Sequence, residues 1–133
     1  MKLLVARGIL DQLVTHAREC LPEEACGFLV GRGDSAERFV PALNILRSST
    51  RFSVQPQFLF DFFRNLRRTG EQMVAVFHSH PSGPAVPSNR DIAEAHYIGV
   101  AYVIVSLADE RTDIRAWRLA ADEAMEIELR AIV

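Results

Sequence analysis

The chain has 133 residues, of which 49% are apolar, and its formal charge is −2 at pH 7. This length and composition suit one compact domain over residues 1–133, and the charge balance supplies no basic surface for nucleic acid. The apolar stretches are shorter than the roughly 20 residues that span a bilayer, and two cysteines without a secretion signal are typical of a reduced, cytoplasmic protein.

Apolar periodicity predicts a helix and a hairpin in the first part of the chain. Residues 9–21 have apolar side chains at helical spacing, and Pro22 ends the pattern. Residues 25–30 form a short apolar run, with 38–41 as the expected hairpin partner. Residues 42–55 show no period, which predicts a surface loop.

The remaining chain is predicted to contain two helices and three strands. Residues 57–68 carry apolar side chains on one helical face and lie between Pro56 and Gly70. The other elements are a strand at 73–77, a helix from 88 to about 98, a buried strand at 99–107 and a half-exposed strand at 125–131. Helices interleaved with paired strands predict an α/β fold on a mixed sheet.

The run from His78 to Asp91 has the spacing of a metal site. Side chains at positions i and i+2 of a strand share one face, so His78 and His80 can offer two nitrogens to one ion. Pro81 ends the strand, and a loop rich in Pro and Gly leads to a helix whose first turn contains Asp91. Two histidines and a carboxylate leave one tetrahedral position open, which is typical of catalytic zinc and predicts a hydrolase.

A hydrolase of this kind also needs a general base and a hydrogen-bond donor for the oxyanion of the attacked carbonyl. Glu23 and Glu24 are both candidates for the base. Ser88 is the candidate donor, because it lies three residues before Asp91 at the start of the same helix. Ser88 and Asp91 also fit a helix-capping pair, and a capping serine can still direct its hydroxyl to a substrate.

These residues resemble the motif of the JAMM (JAB1/MPN/Mov34) family. The string His-Ser-His-Pro at 78–81, then Ser88 and Asp91, matches H-x-H-P-x6-S-x2-D at every specified position. Glu-Ala-Cys-Gly at 24–27 is similar to the Glu-x-Cys-Gly setting of the family's glutamate, which favours Glu24 over Glu23. The likeness covers nearly the whole chain and follows the order of elements in small prokaryotic members.

The resemblance implies a single MPN/JAMM domain with a cytidine-deaminase-like mixed sheet flanked by helices. It implies zinc as the cofactor, with His78, His80 and Asp91 as ligands and Glu24 as acid and base. It also implies a peptidase or isopeptidase that cleaves after the C-terminal tail of a ubiquitin-like protein.

The predicted substrate is a ubiquitin-like sulfur-carrier protein that is cleaved after Gly-Gly. A thin extended tail suits a site at the end of a strand, and the small residues Ser82, Gly83 and Ala85 are expected to leave room for it. The loop 42–53 is the expected opposite wall. No nucleic-acid or membrane partner is expected, and the oligomeric state stays open, with a homodimer as one option.

Two other functions fit parts of the sequence. Related domains that have lost their metal ligands serve as interaction scaffolds, but all the expected ligands are present here. A zinc deaminase would share the logic of a metal with a glutamate, but the chain has neither the H-x-E nor the P-C-x-x-C motif of those enzymes. Bound zinc would favour the peptidase over the scaffold.

Overall fold

A computed structural model describes residues 1–120 and 122–133 of the chain. Within these residues the helices are α1 (Arg7–Cys20), α2 (Pro56–Thr69) and α3 (Asn89–Ala93). The strands are β1 (Lys2–Ala6), β2 (Cys26–Arg32), β3 (Ser35–Ala42), β4 (Gln72–His80), β5 (Ala101–Ser106), β6 (Asp113–Ala120) and β7 (Glu123–Ile132). None of the helices in the described residues has the length and apolar character needed to cross a membrane.

The strands form one closed mixed sheet in the order β1-β3-β2-β4-β5-β6-β7, which closes through a pairing between β7 and β1. The pairs β1–β3, β1–β7 and β4–β5 are parallel, and the other neighbours are antiparallel. The predicted mixed sheet is therefore confirmed. β4 lies between β2 and β5, so both of its edges are hydrogen-bonded.

From Ala75 to Phe77, the side chains of β4 alternate between two apolar cores, as the period of two requires. Ala75 and Phe77 pack in the core that contains α1, whereas Val76 packs in the core that contains Phe62 and Leu66 of α2. Fully burying one large apolar side chain contributes roughly 1.5–3 kcal/mol. Packing on both faces therefore makes the C-terminal end of β4 a firm base for the side chains that it carries.

The two long helices, α1 and α2, begin and end within two residues of the predicted bounds. α2 begins at Pro56 and ends at Thr69, and its C-cap is Gly70, whose φ of 74° is left-handed and suits glycine. No helix or strand forms between β3 and α2, which confirms the predicted loop.

The third helix is shorter than predicted. The expected helix from 88 to about 98 is wrong beyond residue 93, because α3 ends at Ala93. The chain then turns towards β5: the Tyr97 backbone N–H donates to the Tyr102 hydroxyl at 3.1 Å, and Gly99 has a φ of 82°. Tertiary contacts with Tyr102 thus replace the helical hydrogen bonds that the local pattern favours.

Two strands were not predicted from periodicity. β1 is only five residues long and runs directly into α1. In β6 the buried residues Ala116 and Leu119 are three positions apart, so the strand has no simple alternation. Long-range pairing, rather than local pattern, defines both strands.

Candidate metal centre

Two histidines at the C-terminal end of β4 have side chains that lie next to each other. His78 and His80 lie on the same side of the strand, and their Nε2 atoms are 3.1 Å apart. Both rings are buried, with side-chain exposures of 1% and 10%. Ser79, between them, points to the opposite side, where its Oγ accepts a hydrogen bond from the Ala25 N–H at 2.8 Å.

The third group comes from the start of α3. Ser88 and Asp91 form a capping box: the Asp91 N–H donates to Ser88 Oγ at 3.0 Å, and the Ser88 N–H donates to Asp91 Oδ2 at 2.9 Å. The bond from the Ser88 N–H fixes the Asp91 carboxylate. Its Oδ2 lies 3.2 Å from His78 Nε2 and 3.0 Å from His80 Nε2.

The three potential ligand atoms, His78 Nε2, His80 Nε2 and Asp91 Oδ2, therefore lie at the corners of a nearly equilateral triangle. For a tetrahedral ion with ligand distances near 2.0–2.1 Å, neighbouring ligand atoms should lie about 3.3–3.4 Å apart. The observed separations of 3.0–3.2 Å fit such an ion closely. His78, His80 and Asp91 can thus hold one metal ion with little movement.

Hydrogen bonds control the protonation of Asp91 and His80. Burial opposes ionisation of Asp91, but hydrogen bonds from His78 and His80 outweigh it and hold the pKa of the carboxyl below its usual range. For His80, burial alone would lower the pKa, yet the bonds to Asp91 and to the Pro84 carbonyl raise it. Since a carbonyl only accepts, the 2.7 Å contact with Pro84 O puts a proton on His80 Nδ1 and leaves Nε2 to face the triangle.

The His78 ring is also held by packing. Its ring stacks on Phe52, with centroids 4.9 Å apart and planes 25° apart. Its Nδ1 is buried and has no hydrogen-bond partner among residues 1–120 and 122–133.

Glu24 and Glu23 lie in different surroundings. Glu24 is 3% exposed, and its Oε1 is buried without a hydrogen-bond partner in the described residues. Burial raises the pKa of this carboxyl to about 8, while the charge of His80 acts in the opposite direction. Glu23 instead pairs with the exposed Arg47 at 3.2 Å. Since Cys26 is opposite His78 in the antiparallel pair of β2 and β4, the same register carries residue 24 towards His80.

The loop after β4 is tied down through its backbone. The carbonyl groups of Gly83 and Ala85 accept hydrogen bonds from Ser106 Oγ at 2.6 Å and Trp117 Nε1 at 3.0 Å. Ser82 is exposed, and a Cβ on Gly83 would lie 3.9 Å from His80 Nδ1. Ala85 is only 1% exposed, so its methyl group is not accessible to a bound peptide, contrary to the open position that the sequence predicts.

A cavity of about 440 Å³ opens beside the triangle. His78 and Asp91 form one side of it, and the segment 50–54 forms another. Much of its lining is apolar or aromatic, from Phe28, Phe52, Val54, Leu59, Val76, Tyr97 and Tyr102. Phe52 and the buried Asn44 and Ser79 have no recognisable signal in the sequence, because one phenylalanine, asparagine or serine carries no spacing pattern.

Residues 6–120 match a family model described as prokaryotic homologs of the JAB domain. The chain belongs to this family. The predicted JAMM relationship is thereby confirmed, over most of the length of the chain.

Known relatives of this prokaryotic JAB-domain protein agree with that assignment. A Thermus thermophilus protein named "Probable TtuB-protein conjugate cleaving protease" is 40% identical over 77% of this chain and 68% of its own. The CysO-cysteine peptidase of Mycobacterium tuberculosis is 32% identical over 88% of this chain and 82% of its own. A solution structure from Desulfitobacterium hafniense has a TM-score of 0.88 and 33% identity, covering 99% of this chain and 93% of that one.

Proposed function

We propose that this protein is a zinc-dependent peptidase or isopeptidase that hydrolyses the bond after the C-terminal Gly-Gly of a ubiquitin-like or sulfur-carrier protein. The observation that carries the proposal is the triangle of His78 Nε2, His80 Nε2 and Asp91 Oδ2, with separations of 3.0–3.2 Å, beside the buried Glu24. Peptidase and protease names among the relatives support the hydrolytic chemistry.

Zinc is the ion that this donor set favours. Two imidazole nitrogens and one carboxylate oxygen at tetrahedral spacing are a common ligand set of catalytic zinc. When bound, zinc supplies Lewis acidity and lowers the pKa of water to near neutrality. His78, His80 and Asp91 would hold the ion, and the Pro84 carbonyl would keep His80 in the tautomer that presents Nε2.

Glu24 transfers a proton from the attacking water to the leaving nitrogen. Its Oε1 is free of hydrogen bonds within the described residues, so it can accept the proton of the attacking water and return it to the leaving nitrogen. Burial raises the pKa of the carboxyl to about 8, which would keep it protonated at neutral pH. A nearby cation favours the ionised form, so Glu24 becomes a base once the metal site is filled.

Ser88 stabilises the oxyanion on the attacked carbonyl. In the capping box its Oγ accepts from the Asp91 N–H, which leaves the hydroxyl proton free to donate. Capping and catalysis therefore use different parts of the same hydroxyl group.

The substrate tail lies across the end of β4. Ser82 is exposed, and Gly83 keeps side-chain atoms away from His80, so both leave room for a Gly-Gly end. The aromatic cavity next to His78 and Asp91 is large enough to receive a residue flanking the scissile bond. Binding of this kind aligns the carbonyl carbon before attack.

The decisive experiment uses a purified sulfur-carrier protein that bears one to three residues beyond Gly-Gly. Zinc-loaded enzyme is incubated with it, and the mass of the product is read by spectrometry. A carrier ending in Gly-Gly is the expected product, with Glu24→Gln as the matched inactive control. An intact carrier, together with efficient cleavage of unrelated peptides or of nucleoside amines, would refute the proposal.

The scaffold alternative makes a different prediction. A non-catalytic MPN module would need no metal, whereas the enzyme should purify with about one zinc per chain when chelators are omitted. Elemental analysis distinguishes the two. The intact set of three ligands favours the enzyme.

We also propose a location and a domain organisation for the enzyme. The enzyme works in the cytoplasm as one JAMM/MPN domain over residues 1–133, and its mixed sheet is of the cytidine-deaminase type and is flanked by helices. Packing of α1 and α2 in separate cores of a single closed sheet supports this organisation. Limited proteolysis should leave one resistant fragment, and cell fractionation should recover the protein with the cytosol.

A further inference from the structure

Asn44 is a buried polar residue in a loop whose other residues, 43 and 45–55, are exposed or half-buried. It is 4% exposed, whereas its neighbours Leu43 and Ile45 are 75% and 45% exposed. Loops normally expose their polar side chains and bury their apolar ones, so the order is inverted here. The amide must therefore be fully hydrogen-bonded to offset the loss of water.

The side chain of Asn44 makes hydrogen bonds in both directions. Its Nδ2 donates to the carbonyl oxygens of Glu24 at 3.1 Å, Ser48 at 3.4 Å and Arg51 at 2.9 Å. Its Oδ1 accepts from the backbone N–H groups of Leu46 at 3.1 Å and Ser53 at 3.2 Å. Because carbonyls surround one end and N–H groups the other, the amide has only one orientation that fits.

These bonds connect the loop 44–53 to the backbone of Glu24. The Glu24 N–H donates to the Ser48 carbonyl at 2.8 Å, and its own carbonyl accepts from Asn44. The next residue is tied to β4, since the Ala25 N–H donates to Ser79 Oγ and the Ser79 N–H donates to the Ala25 carbonyl at 3.0 Å. The backbone around Glu24 is thus held from the loop on one side and from the metal-bearing strand on the other.

The carboxyl group itself has no comparable support. Glu24 Oε1 is buried without a hydrogen-bond partner in residues 1–120 and 122–133. Its position relative to the metal centre therefore depends on where the backbone is held. On the loop side, that support is the Glu24 N–H bond to the Ser48 carbonyl together with the bond from the Asn44 amide, which also donates to the Ser48 carbonyl.

We infer that Asn44 is a positioning residue, which holds the Glu24 backbone so that the carboxylate reaches the reacting water. The inference rests on the proposed function of Glu24. Asn44 touches neither substrate nor metal in this role; it acts through the Glu24 carbonyl, and it also fixes the segment that carries Phe52 against His78.

Asn44→Asp and Asn44→Ala test the inference by kinetics. The Asp variant keeps the acceptor for Leu46 and Ser53 but loses the donor to the carbonyls of Glu24, Ser48 and Arg51, so it removes the donating half of the amide and retains the accepting half. A displacement of about 1 Å can cost about 10²-fold in rate, so we expect kcat to fall by about that factor in both variants while KM changes less than about threefold. Zinc stoichiometry should not change.

A double variant separates positioning from general destabilisation. In a Glu24→Gln background, Asn44→Ala should reduce the residual kcat by less than about twofold, because Asn44 acts through a group that is already absent. Ile127→Ala, on β7, which pairs with neither β2 nor β4, is the stability control and should keep the wild-type kcat. A full further loss in the double variant, or wild-type kcat in Asn44→Ala, would overturn the inference.

Amide hydrogen exchange tests the same connection without a substrate. The Glu24, Leu46 and Ser53 amides should exchange at least about tenfold faster in Asn44→Ala, whereas the Val103 amide of the sheet should not change. Should Asn44→Ala fail to fold, Asn44→Ser is measured in the same way. Unchanged exchange at Glu24 would refute the positioning role. Inactivity of the wild-type protein on every Gly-Gly carrier would refute only the proposed function.

Discussion

Replacing Glu24 by Gln should change how the stability of the metal-free protein depends on pH. Burial raises the pKa of this carboxyl from 4.5 to about 8 in the folded chain, whereas an unfolded chain returns it to about 4.5. Between these values the folded protein keeps a proton that the unfolded chain has released. Stability must therefore fall as the pH rises through this window.

The size of this stability change follows from the shift in the Glu24 pKa. Each pH unit above 4.5 costs the folded state about 1.4 kcal/mol until the pH reaches the folded pKa, which amounts to about 3 kcal/mol at pH 7. Gln is nearly isosteric and does not ionise. The free energy of unfolding of Glu24→Gln, relative to wild type, should thus be constant below about pH 4.5 and rise by about 3 kcal/mol towards pH 7.

Urea unfolding of chelator-treated protein from pH 4 to 8 measures this difference. His80 and Asp91 are present in both proteins, so the difference reports Glu24 together with its electrostatic coupling to these two groups. Parallel stability curves would show that the carboxyl is not desolvated in the fold and would refute the reasoning. With zinc restored, the same variant should keep its metal and lose about 10²–10⁴-fold in kcat, since it removes only the proton acceptor.

Other substitutions test the metal ligands, the cap and the sheet. His78→Ala should lose the bound zinc, and stoichiometric zinc in that variant by elemental analysis would contradict the ligand assignment. Ser88→Ala should lower the free energy of unfolding by about 1 kcal/mol and kcat by about 10²–10³-fold; a loss of stability at unchanged kcat would leave Ser88 as a cap only. Gly31→Ala should destabilise by at least about 2 kcal/mol in thermal or urea unfolding, because its Cβ would lie 1.8 Å from the Ser35 carbonyl oxygen. Gly8→Ala, which meets nothing within 4 Å, should instead stabilise by about 0.4–1 kcal/mol, and equal effects of the two changes would contradict the packing argument.

The parts of the site that the sequence predicts are those with local geometry. His78 and His80 share a face because they are two positions apart on a strand, and Ser88 and Asp91 face each other because they are three apart at a helix start. Neither relation depends on the rest of the fold. The motif spacing therefore led to the JAMM family from the amino-acid sequence alone.

Long-range relations required the tertiary structure. Adjacent glutamates look alike in sequence, and only the pairing of β2 with β4 buries Glu24 while Glu23 pairs with Arg47 at the surface. Nothing local indicates that Asn44 would bond to a carbonyl 20 residues away.

In the fold, too, some features follow from local sequence pattern and others from long-range contacts. Apolar periodicity determined α1, α2 and the central strands, because each of them buries a face at its own repeat. The tertiary structure decided where α3 stops, that β1 and β7 close the sheet, and that Ala85 is buried. Those outcomes depend on contacts between residues distant in the chain, whose free energy of association no local repeat encodes.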